Sequence, residues 1–64
     1  MSALLVFTNL PDRDSAEKLA DALVAQRVAA CVNVLAPCRS VFRWNDALQH
    51  ATEHPLLIKT SAAR

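Results

Sequence analysis

The chain has 64 residues, of which 53% are hydrophobic and 20% charged, with a net charge of +1 and no glycine at all. One small domain is the most such a length can build, and it is marginally stable without metals, disulfides or oligomerisation. A charge so near neutral gives no basis for binding nucleic acid or an anionic membrane, and no apolar run approaches the roughly 18 residues that span a bilayer.

The stretch from Met1 to Phe7 carries no basic leader, and its apolar run is short for a signal peptide, so a cytoplasmic location is expected. Ala3 to Thr8 is continuously apolar and is predicted to be a buried strand. Asn9-Leu10-Pro11-Asp12 breaks it, because proline cannot continue a central strand and aspartate favours a turn or a cap.

A helix over residues 14–27 follows, capped by Asp12 or Asp14. Asp14 with Glu17 has the spacing of a capping box. Ala16, Leu19, Ala20 and Leu23 form one apolar stripe at helical spacing. Lys18 is placed to pair with Glu17 or Asp21, and Arg27 closes the helix with a favourable charge.

Val28 to Leu35 is apolar on both parities, so it is predicted to be a strand that must be covered on both faces. The helix can cover only one of them. Strand, helix and strand make a βαβ unit with parallel strands that need not be adjacent. Ala36-Pro37-Cys38 suggests a bulge or bend.

Alternation resumes at Arg39, with Ser40, Phe42 and Trp44 on one face and Arg39, Val41 and Arg43 on the other. Asn45-Asp46 is the expected tight turn, since both residues tolerate positive φ. A returning strand then runs from Ala47 to Thr60, setting Trp44 opposite Ala47 and Phe42 opposite Gln49. Ser61-Ala62-Ala63-Arg64 opens like a helix, with Thr60 or Ser61 as cap. The pattern β-α-β-β is α+β, in a single partial domain over residues 1–64 with no internal boundary.

Few groups suggest chemistry. Cys31 and Cys38 are separated by six residues, which matches no zinc-ligand spacing. Cys31 is the softest donor on offer, of the kind copper or zinc prefers, although a buried structural thiol is the commoner role. His50-Ala51-Thr52-Glu53-His54 spells an inverted metalloprotease motif. Pro55 pushes His54 out of helical geometry, and a strand would hold the two histidines roughly 13 Å apart. Each is therefore at most a weak, separate metal donor.

Lys59 lies among Leu56, Leu57 and Ile58 and must snorkel, pair, or bind an anion. Trp44 beside the turn suits an interface. Arg39 and Arg43 with Phe42 and Trp44 have the composition of a single-stranded nucleic-acid platform, but basic and aromatic residues alternate to opposite faces. No catalytic triad, phosphate-binding glycine loop or paired carboxylates are present, so no catalytic residues are expected.

Four blocks carry a resemblance: Ala16-Glu17-Lys18-Leu19-Ala20, Arg27-Val28-Ala29-Ala30-Cys31-Val32-Asn33, Ser40-Val41-Phe42-Arg43-Trp44 and Leu56-Leu57-Ile58-Lys59-Thr60. In order and spacing they resemble the divalent-cation tolerance family, CutA, across essentially this whole sequence. It matches the first part of a family domain, whose second helix and closing strands would lie after Arg64. Phe42 stands where the family usually has tyrosine, and Asn45-Asp46 replaces a glycine-containing turn.

The resemblance implies a ferredoxin-like subunit, similar to the PII signalling proteins and assembled as a homotrimer, with sheets packed together and hairpin arms reaching neighbours. It also implies binding of divalent cations, copper among them, with Cys31 in the family's cysteine position, and no secure enzymatic activity. The alternative from another class is a PII-like regulatory trimer that binds a small anionic ligand or a partner protein through Lys59, Arg43 and the Trp44 arm.

Overall fold

The computed structural model describes residues 3–61. Its elements are β1 (Ala3–Leu10), α1 (Arg13–Ala25), β2 (Cys31–Val34), β3 (Cys38–Trp44) and β4 (Ala47–Ser61). The sheet is built around β4, which at 15 residues is long enough to serve two sets of partners. Its second half lies between β1 and β2, and its first half pairs with β3. Every pairing is antiparallel, so β1 and β2 run parallel to one another with β4 between them. This is the parallel pair expected of the βαβ unit, and its two strands are not adjacent.

The hairpin forms as its sequence predicts. Trp44 faces Ala47, Phe42 faces Gln49, and Asn45 and Asp46 take positive φ of 51° and 59°. Positive φ at both central residues matches the strand twist that a two-residue turn needs. The bend at Pro37 is a bulge. Leu35, Ala36 and Pro37 lie between the paired segments on one side, while only His54 and Pro55 lie between them on β4. One extra residue on a strand is what kinks it.

One local expectation is narrowed and two are corrected. The N-cap is Asp12, whose Oδ1 accepts from the Ser15 backbone N–H at 2.7 Å, so Asp14 sits inside the first turn. Lys18 pairs with Asp14 at 3.2 Å, one helical turn back, because neighbours at i,i+4 share a face. Arg27 lies beyond the helix, at φ 60°. Its N–H donates to the Val24 carbonyl and that of Val28 to the Leu23 carbonyl. That pair of bonds is a Schellman cap, whose left-handed residue is usually glycine.

The cap also shortens the second strand. Val28 and Ala29 both donate to Leu23 as the chain leaves the helix, and β2 begins only at Cys31. At the other end of the chain β4 continues through Ser61, and the helix start expected at Ser61-Ala62-Ala63-Arg64 rests on residues 62–64, which lie outside the described residues.

The core is small. Ala16, Ala29, Leu56 and Ile58 are buried together, with Leu10, Leu19, Leu23 and Val32 packed partly against them. Leu56 is the one large side chain among them that is fully covered. The register explains this layout. Leu56 and Ile58 share a sheet face with Val32, Val34, Val6 and Thr8, and α1 packs on that face. Leu5, Phe7, Cys31, Asn33, Leu57 and Lys59 lie on the other face, which no element among the described residues covers.

The sequence expectation of a stretch from Val28 to Leu35 buried on both sides is therefore met only in part: on the helix side Val32 is half-buried but Val34 is exposed. Ala29 is buried, but Val28, Cys31 and Leu35 are exposed.

Candidate functional sites

The open sheet face holds two of the expected site residues. Cross-strand pairing places Lys59 between Leu5 on β1 and Cys31 on β2. Lys59 is exposed and makes no ion pair among the described residues. Cys31 is a free, exposed thiol rather than a buried one. Trp44 and Phe42 lie on this same face further along the arm, because they oppose the odd-numbered residues Ala47 and Gln49 of β4. Arg43 is on the reverse of the arm, opposite Leu48.

The two histidines lie on the helix side of the sheet, four residues apart on one strand. His50 Nδ1 lies 3.1 Å from Arg39 Nη2. A guanidinium can only donate, so this nitrogen accepts and the imidazole is neutral in that contact. While the contact holds, Nδ1 is not free to bind a metal.

His54 faces a different setting. It closes a cleft of about 270 Å³ between the first turns of α1 and the bulge, whose other walls are Arg13, Glu17 and the segment from Val34 to Pro37. Arg13 Nε donates to Glu17 Oε1 at 3.3 Å along the helix wall. Nearby, the Asp12 carboxyl is held below its ordinary value. The Ser15 backbone N–H is the main cause, followed by the Ser15 hydroxyl, with smaller attractions to His54 and Lys18.

Cys31, His50 and His54 do not converge. The thiol and the imidazoles are on opposite faces of the sheet, and among the described residues no three His, Cys, Asp or Glu side chains come together as a metal site. The described residues of one copy therefore hold no complete metal site of these side chains. Nothing in the sequence revealed the cleft or the Arg39–His50 contact. The first depends on where α1 lies over β4, the second on a diagonal between strands.

The comparisons with known proteins bear on this geometry. The family model "CutA1 divalent ion tolerance protein" matches residues 4–64. This chain belongs to the CutA1 divalent ion tolerance family. The chloroplastic CutA protein of Arabidopsis thaliana is 36% identical over 58 residues, which are 91% of this chain and 32% of that protein. A solved CutA1 structure from Thermus thermophilus superposes with a TM-score of 0.90 at 34% identity, covering 97% of this chain and 60% of the other.

The CutA structure from Archaeoglobus fulgidus, described as periplasmic, gives a TM-score of 0.89 at 31% identity, covering 97% of this chain and 60% of the other. The chain thus spans between a third and three fifths of these CutA1 relatives.

The match confirms the resemblance and the ferredoxin-like arrangement of strands, helix and long hairpin. It overturns the expectation of a cytoplasmic location, since CutA proteins include a chloroplastic and a periplasmic member. The physical reason is that compartment is set by address segments that are read and removed apart from the fold. The composition of the folded part does not carry it.

Proposed function

We propose that this chain acts as a CutA-type divalent-cation tolerance protein, without catalytic residues, in a homotrimer whose copies bury one another's open sheet faces. Residues 1–64 would act in it as one partial domain. The observation that carries the assembly is the uncovered apolar face, where Leu5 is 68%, Phe7 60% and Trp44 66% exposed. Large apolar side chains left exposed together on one sheet face mark an interaction site.

The same geometry bears on the metal. Copper is among the ions that suit a thiol such as Cys31 on that face, where Cys38 also lies further along, opposite Glu53, and assembly through the face would bring thiols of different copies into one interface. Lys59 beside Cys31 opposes any cation there by its charge. The interface must then supply more donors than one thiol.

Titration calorimetry of the assembled protein with copper, unmodified and as Cys31→Ala, tests this. Lost or much weakened binding supports Cys31 as a ligand. Equal affinity in both removes it.

A further inference from the structure

The cleft closed by His54 is on the helix side of the sheet, away from Cys31 and the face assigned to assembly. Its volume of about 270 Å³ is several times the roughly 30 Å³ that a water molecule occupies in the liquid. A small organic molecule fits it better than a bare ion. Its floor, Val34 to Pro37, is apolar, and the bulge sets that segment opposite α1.

The polar groups around that floor are of three kinds. Arg13 and Glu17 stand together on the helix wall as one positive and one negative charge. Arg13 has five N–H donors, so the Glu17 contact through Nε leaves others available. His54, half-buried on the far wall, makes no side-chain hydrogen bond among the described residues. In either protonation state its ring has an N–H to donate.

A simple anion in the cleft would meet the Glu17 carboxylate, and a simple cation would meet the Arg13 guanidinium. A ligand carrying both charged groups on one carbon meets neither objection. We propose that this cleft binds a small α-amino acid with an aliphatic side chain. Arg13 and His54 take the carboxylate, Glu17 takes the ammonium, and the side chain lies on Val34 to Pro37. Nothing in divalent-cation tolerance requires such a site, and it would give the protein a metabolite input separate from its metal chemistry.

The test is an NMR titration of the full chain with three probes: L-valine, isovalerate, which lacks the ammonium, and isobutylamine, which lacks the carboxylate. Valine should give saturable shifts at the backbone amides of Arg13, Glu17, Leu35, Ala36 and His54. Each single-charge probe should bind at least about tenfold more weakly, the worth of one charge-assisted hydrogen bond. Glu17→Gln should weaken valine about tenfold and leave isovalerate no weaker, a pattern that simple loss of folding would not give.

The comparison of probes on the unmodified chain does not depend on any variant. Isovalerate binding as tightly as valine would overturn the proposal, as would shifts confined to other residues or no saturation up to about 100 mM valine. None of these outcomes touches the copper result.

Discussion

At the scale of single residues, the absence of glycine is felt wherever the backbone turns left-handed. Arg27, Asn45 and Asp46 all hold positive φ with a Cβ attached. Asparagine and aspartate tolerate this better than most residues, and glycine bears it without steric cost. Asp46→Gly should therefore stabilise the chain by roughly 0.5–1 kcal/mol, read as a higher urea midpoint with an unchanged slope.

Asp12 sets an acid limit. Its folded value lies below the ordinary 3.8 because Ser15 donates to the charged carboxylate. A depressed carboxyl contributes stability that is present above 3.8 and is lost as pH falls through the lower folded value. Asp12→Asn, which keeps a capping oxygen but cannot ionise, should flatten that part of the stability curve, as measured by thermal melts across acid pH.

At the scale of elements, β4 carries the molecule. Each of the other strands pairs with it, and the two largest buried side chains of the core, Leu56 and Ile58, both come from it. Leu56→Ala removes the fully covered one. Such truncations cost about 2–5 kcal/mol, against a total stability of about 0.05–0.15 kcal/mol per residue. The expected result is loss of the cooperative unfolding transition in circular dichroism, whereas Leu48→Ala, at an exposed arm position, should melt like the unmodified chain.

At the scale of the whole molecule, the balance of covered and uncovered apolar surface decides the behaviour. Among the described residues, three of the five buried hydrophobic residues are alanines, while twelve large apolar side chains are exposed. The arm draws the molecule out to 42 × 25 × 17 Å, which adds surface without adding core. Copies should associate, and sedimentation velocity should show a species larger than one chain. Phe7→Glu places a charge on the open face at a position 60% exposed in the single chain. It should shift the distribution towards the monomer without unfolding it. A single-copy species at all concentrations for the unmodified chain would contradict the trimer.

Much of this protein was legible in the sequence because the governing forces are local. The stripe Ala16, Leu19, Ala20, Leu23 could bury only as a helix, and Asn45-Asp46 could only turn tightly, so α1, the hairpin and its register follow from residues close together in the chain. The parity of Val28 to Leu35 already implied a need for cover on both sides. Tertiary structure decided the rest, because it depends on which distant surfaces meet. It set the Schellman exit that delays β2 to Cys31, put the cysteine and the histidines on opposite faces, and brought the first turn of α1 over His54 to form a cleft. A side chain's partners across a sheet are fixed by long-range register and packing, which no short window of sequence contains.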